Sequence, residues 1–369
     1  MTMSDNPYEL WSTRKSLGVM RDTKSETVNY FRQWFPFQHR STEEYIDFEK
    51  LPIRSKKLAP FALPLGEGGS VYDDSARAYR VKPAYVVLDD VVDPLKPLTY
   101  QPGIDQSRFD VTKLSPKQRL EMLKVQIAAA HRNAWDRRME WLAARAIIDG
   151  QVTLSGPKYP TTLVNFQRAA GHTVTLGAGD RFGEAGVSIL DFFKAQIAKM
   201  CAAEFGGMPT RITMSGTVAA IIQADEEILK HMDINTTGGR HQVERGILAA
   251  DPKQPMVYRF GTLFVAGNSG VTIELWVNDE TYQNDAGVQT RYLPAHEIVF
   301  TSTPDAVAGH ECFGRIVDQD ADYEPIPLFP KNYRTGDRVK TEHVSHTSSP
   351  LEVPINPNAT LKAAVIAAA

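Results

Sequence analysis

Cysteine is nearly absent from this chain, and what is missing narrows the function early. Two cysteines, Cys201 and Cys312, lie far apart in 369 residues. Two thiols without close spacing make neither a disulfide scaffold nor a metal or redox motif, so both are expected to be reduced and buried. No run of about eighteen apolar residues occurs. The first 17 residues carry Asp5, Glu9, Arg14 and Lys15 where a signal peptide needs an apolar stretch, so the chain is expected to stay in the cytoplasm where it is made. Charge of one sign is also missing: the formal net charge of -3 is close to balance, and nothing in it suggests a protein that holds nucleic acid by neutralising phosphates.

Signatures of catalysis are missing too. The chain has no Gly-x-Ser-x-Gly elbow, His-Glu-x-x-His pair or dinucleotide fingerprint. The cluster Gly66-Glu67-Gly68-Gly69-Ser70 lacks the Gly-Lys-Ser/Thr ending of a phosphate loop and reads as a flexible loop. The acidic residues Asp73, Asp74, Asp89, Asp90 and Asp93 have the chemistry to bind a divalent cation or to do acid-base work. On a Pro-rich excursion they are expected instead to solubilise it or to pair with basic residues of another subunit. His343 and His346 sit in non-helical text and read as surface histidines, while His172, His231 and His241 stand alone in polar loops. No catalytic, cofactor or metal residue is therefore assigned.

What is present is organised as long extensions around an α+β body. The segment Tyr30-Phe31-Arg32-Gln33-Trp34-Phe35-Pro36-Phe37 is densely aromatic, and Pro36 interrupts any helix there. From residue 51 to 103 prolines recur at 52, 60, 64, 83, 94, 97 and 102, which suits an extended excursion. Within it, residues 70–79 and 81–92 are β-rich and predict a long hairpin with too little apolar content for its own core. Residues 115–149 predict a helix: Ser115 suits the N-cap, Pro116 the first turn and Gly150 the stop. Its apolar stripe reads Leu120, Leu123, Ile127, Ala130, Ala134, Trp141 and Ile148, and its length is roughly 50 Å, long enough to run over a surface. Helices are expected at 188–205 and 217–230, a polar Gly-rich loop at 235–240, and strands at 210–215, 257–265, 271–277 and 297–302. The last forty residues read as β-like runs ending in a small apolar tail at 361–369.

This order of elements resembles the lambda-type major capsid proteins of tailed phages, the capsid E family, which have the Hong Kong 97 capsid fold. The resemblance rests most on Tyr292-Leu293-Pro294 before Glu297-Ile298-Val299-Phe300, on Phe329-Pro330-Lys331-Asn332-Tyr333 with Thr335-Gly336-Asp337, and on Ser349-Pro350-Leu351. It implies an N-arm at 1–50, an extended loop at 51–104, and a peripheral domain at 105–185 with its spine helix at 115–149. An axial domain at 186–287 and a β-rich return to the peripheral domain at 288–369 complete it. The implied function is an icosahedral shell enclosing double-stranded DNA without sequence-specific binding. Its implied partners are other copies in hexamers and pentamers, a separate scaffolding protein, a portal and, in some shells, a decoration protein; no membrane is involved. Assembly is expected in the host cytoplasm and residence in the virion capsid.

Contacts between subunits are expected at Trp34, Phe35, Phe37, Phe61, Tyr72, Tyr79 and Tyr85, because aromatics on extended segments have no core of their own in reach. By the same expectation, removing residues 1–40 leaves a folded remainder that cannot assemble. Gly66, Gly68 and Gly69 are expected hinges for the loop during shell expansion. Lys82 lies where some relatives place a cross-linking lysine, but without a local acid-and-asparagine context. Two alternatives stay open: a nanocompartment shell that packages an enzyme, and a cytosolic α+β enzyme.

Overall fold

A computed structural model describes residues 10–23, 25, 27–49, 78–93, 95, 115–156, 159–231, 246–247, 256–265, 271–336 and 340–367. In chain order its elements begin with α1 (Thr13–Asp22), a 3-10 turn (Phe31–Trp34), β1 (Phe37–Arg40), β2 (Ile46–Glu49), β3 (Ala78–Val81) and β4 (Val86–Val92). Then come α2 (Pro116–Asp149), β5 (Gln151–Gly156), β6 (Tyr159–Asn165), β7 (Thr173–Thr175), α3 (Ile189–Ala202), β8 (Arg211–Met214), α4 (Gly216–Ala224) and α5 (Glu226–His231). Six further elements follow: β9 (Gly246–Ile247), β10 (Val257–Val265), β11 (Val271–Asn278), β12 (Thr281–Gln283), β13 (Gln289–Arg291) and β14 (Glu297–Thr301). The chain closes with α6 (Pro304–Val307), β15 (Gly309–Phe313), β16 (Phe329–Thr335), β17 (Thr341–Ser348), β18 (Pro350–Pro354) and β19 (Thr360–Ala364).

The long helix forms for the reasons its termini suggest. Ser115 accepts from the Gln118 amide while the Gln118 side chain reaches back to the Ser115 amide, a reciprocal capping box. Gly150 ends the helix in the left-handed region at φ 65° and donates to the Ala146 carbonyl. The buried face differs from the expected stripe. Ala130 and Ala134 are exposed, and Leu120, Ile127 and Trp141 are half-buried. The buried row instead runs through Leu123, Lys124, Ala128, His131, Trp135, Met139, Leu142 and Ala146. Charged side chains interrupt that row, so no apolar periodicity marks it. The helix also does not stay on the surface: Met139, Ala143, Ile147 and Ile148 are fully enclosed in its C-terminal half.

Two large apolar cores organise the described residues. One gathers the C-terminal half of α2 with Tyr30, Phe31, Trp34, Phe35, Phe313 and Leu351. The other lies on the seven-stranded sheet, ordered β7-β19-β14-β8-β11-β10-β9, with α3 and α4 supplying Phe193, Ile197, Val218 and Ile222. Strand β19 is interior to that sheet, so Leu361 and Ala363 of the expected apolar tail are buried strand residues, and Val365 just past the strand is buried too. The helix expected at 217–230 is interrupted at Asp225, whose carboxylate accepts from the amides of Glu227 and Ile228.

The predicted hairpin is also corrected over its second limb. β4 pairs antiparallel with β17, Leu88 opposite His346, in the sheet β16-β17-β4, and β3 pairs with β2. Residues 78–81 and 86–92 thus pair with distant strands and not with each other, while residues 70–77 of the first limb lie outside the described residues. Cys201 is exposed while Cys312 is buried, and both are free. Among the described residues no helix is long and apolar enough to cross a membrane.

Candidate assembly surfaces

The arm enters the first core instead of waiting for a neighbour. Trp34 and Phe35 are each only 2% exposed within the single chain. This corrects their expected place between subunits, because an intramolecular core is in reach. The Trp34 indole donates to the Ser302 carbonyl at 2.9 Å, and the Tyr30 hydroxyl meets Thr213 Oγ1 at 2.8 Å. The Arg211 guanidinium lies 5.2 Å from the Trp34 ring and 5.0 Å from Trp276, a cation held between aromatic faces. Pro36 then turns the chain outward. Phe37 on β1 is 46% exposed, its ring tilted 33° against His310 with centroids 5.2 Å apart.

Buried carboxylates hold the arm backbone. Glu140 of α2 accepts from the Phe31 amide at 2.7 Å and the Arg32 amide at 3.2 Å. Burial, reinforced by the Glu280 charge, raises its pKa to about 8 despite those two donors. Glu280, which takes the Val28 amide, is pushed up to about 7 by burial. Arg32 closes the anchor with Glu311 at 2.6 Å and Asp136 at 3.5 Å. Sequence reasoning missed these residues. Single charges within a long helix or strand carry no local signal that their side faces inward.

The second surface is β4, an edge strand among the described residues. Its inward face, Leu88, Asp90 and Val92, turns toward α2, where His131 lies 3.0 Å from Asp90 and 2.8 Å from His346. His346 is 1% exposed, and burial followed by the His131 charge lowers its pKa to about 3. His172 is likewise buried, against the Thr360 carbonyl. Neither is the surface or loop histidine expected, because strand alternation and strand packing turn each ring inward. The outward face of β4 carries Tyr85, Val87 and Val91, the last two 60% and 50% exposed. Asp89 between them takes the Tyr333 hydroxyl at 2.7 Å, and the Tyr85 hydroxyl donates to the Arg315 carbonyl.

Beside this strand a groove of about 780 Å³ runs between α2, β4 and the β5–β6 and β12–β13 pairs. Arg138, Trp141, Tyr159 and Tyr282 line it, an amphipathic trough rather than an enclosed cavity. Lys82 meets Glu44 at 2.7 Å, with both side chains about half exposed. Tyr79 lies in β3. Phe61, Tyr72, Gly66, Gly68 and Gly69, together with the loop at 235–240, fall outside the described residues. Among the described residues no group of three His, Cys, Asp or Glu side chains is arranged to hold a metal ion.

The chain is 20% identical over 352 residues to the P21 prophage-derived major head protein of Escherichia coli strain CFT073, covering 95% of this chain and 97% of the relative. The major capsid protein of Enterobacteria phage P21 matches with the same identity and coverage. A crystal structure of a prophage capsid protein from E. coli CFT073 superposes with a TM-score of 0.66 at 15% identity, over 97% of this chain and 100% of the other. The fold is thus the Hong Kong 97-like capsid fold that the order of elements suggested. The model of the phage major capsid protein E family matches residues 30–365, from Tyr30 of the arm to just past the last strand, and the chain belongs to that family.

Proposed function

We propose that this chain is the repeating subunit of a tailed-phage head, closing into an icosahedral shell of hexamers and pentamers around double-stranded DNA. The observation that carries this reading is family membership over residues 30–365, a structural family of self-associating capsid subunits. The near-neutral charge of -3 suits a wall past which DNA slides. In this reading residues 1–50 act as the N-arm and 51–104 as the loop that lies over an adjacent subunit. Residues 186–287 meet their copies around the symmetry axes, and 105–185 with 288–369 form the peripheral domain. A separate scaffolding protein and a portal complete assembly in the host cytoplasm, with room for a decoration protein.

Contacts between copies would use Phe37, Tyr85, Val87 and Val91, exposed apolar side chains beside strand edges that have no partner among the described residues. Equivalent surfaces repeated under closed symmetry need only modest contacts at each site. The test is electron microscopy of the full-length chain expressed with its own scaffolding protein. Icosahedral shells are expected; discrete small oligomers, or shells filled with a protein cargo in infected cells, would overturn the proposal.

A further inference from the structure

The arm anchor contains a charge problem with one economical solution. β15 and β18 pair antiparallel with Glu311 directly opposite Glu352. Directly opposed side chains share a face of the sheet with Cβ atoms about 5 Å apart, and two like charges there repel. Both are deeply buried, at 8% and 0% exposure. Glu311 is well supplied: its Oε1 accepts from Arg32 Nε at 2.9 Å and Nη2 at 2.6 Å, and its Oε2 receives only a long contact of 3.4 Å from Gln38. Glu352 has no such supply. Neither of its oxygens meets a hydrogen-bond donor among the described residues, and both are sealed from solvent.

We infer that Glu352 is a neutral carboxylic acid at neutral pH and donates its proton to the Glu311 carboxylate, so that the pair presents one negative charge to Arg32. An isolated buried carboxylate without donors takes up a proton rather than bear the cost of desolvation. A carboxyl proton aimed at the lightly used Glu311 Oε2 satisfies both groups at once. The charged and titratable groups facing the pair are Arg32 from the arm, Asp136 and Glu140 from α2, and Cys312 from β15, with Arg132 held on Asp136. Acidic groups outnumber the cations here, so a second full charge on Glu352 has nothing to balance it. Burial first, then Glu311, raises the Glu352 pKa well above the usual carboxyl range. The proton therefore helps fasten the arm: losing it sets Glu352 against Glu311 and disturbs the carboxylate that grips Arg32.

The test compares the full-length wild-type chain with Glu352→Gln and Glu352→Ala. Glutamine supplies a neutral amide donor toward Glu311, so E352Q is expected to fold with a neutral-pH melting midpoint equal to or above that of the wild type. E352A, which leaves Glu311 without that donor, is expected to melt lower. Between pH 7 and 10 amide exchange of the arm should accelerate beyond its chemical rate in both chains, since both keep Glu140 and Glu280, and at Gln38 and Arg40 of β1 it should accelerate more in the wild type than in E352Q. Infrared difference spectra, wild type against E352Q, should show a carboxylic-acid carbonyl band at neutral pH that the variant lacks. An E352Q chain that fails to fold or melts as low as E352A, or a wild type without that band, would overturn the assignment.

Discussion

Gly309 begins β15 where the arm crosses it, and a Cβ there would strike the Trp34 carbonyl oxygen and come within 2.6 Å of the Phe35 ring. Backbone and a buried ring cannot yield cheaply, so Gly309→Ala should cost on the order of 1–3 kcal/mol and loosen the arm. Gly18, inside α1, has nothing within 4 Å of the same atom, and Gly18→Ala should stabilise by about 0.5–1 kcal/mol. Denaturant titration of both variants checks the pair; equal effects would contradict the packing described. Trp34→Ala should lose about 3–5 kcal/mol, because it removes a fully enclosed indole and leaves the Ser302 carbonyl without its donor. At this scale the sequence was least legible. Glu140, Arg32 and Glu352 are common residue types whose role depends wholly on which elements meet around them.

Elements show the opposite balance, legible wherever the cause is local. Ser115, Pro116 and Gly150 specify the ends of α2 because capping is decided within a few residues, and β10, β11 and β14 were readable from β-rich apolar runs. The partner of β4 was not, since β17 lies far along the chain and Thr341–Ser348 carries two histidines on a buried strand. The arm was misread for a related reason: an aromatic cluster on an irregular segment has the same text whether its core belongs to its own chain or to a neighbour. This changes what truncation should do. Removing residues 1–23 takes away α1 and the preceding Trp11, whose ring lies beside Lys124 of the Lys124–Glu342 pair, and should leave a cooperative fold of lowered stability. Removing residues 1–40 also deletes Tyr30, Phe31, Trp34 and β1, and should abolish the cooperative transition instead of leaving a sound remainder. The outer face of β4 predicts the reverse phenotype. Paired Val87→Asp and Val91→Asp substitutions touch exposed positions, so they should shift stability by under about 1 kcal/mol while sharply reducing shell yield by sedimentation.

Across the whole molecule the buried acids and histidines give stability a definite pH slope. Glu140 and Glu280 have folded pKa values near 8 and 7, raised above the unfolded carboxyl value near 4.5. Their contribution is fully present below the unfolded value and is lost as pH rises through the folded values. His346 and His172 act in the other direction, because their lowered pKa values leave them neutral when folded, and they weaken the fold mainly as pH falls below about 6.5. Between pH 6.5 and 8 His346 and His172 lose only the last of their unfolded-state protons, a smaller and opposing change, so the raised carboxyls decide the slope. Stability of the unassembled chain should therefore fall across this window, by on the order of 1.4 kcal/mol per pH unit for each proton retained. Glu280→Gln keeps an acceptor for the Val28 amide and removes one such proton, so its slope should be shallower than that of the wild type. Denaturant titrations at three pH values measure both slopes, and a wild-type stability that rises from pH 6.5 to 8 would mean that these acids are ionised in the fold. The weakening would concentrate on residues 28–32, which Glu140 and Glu280 hold, so the arm rather than the seven-stranded sheet should be the first part to loosen at alkaline pH.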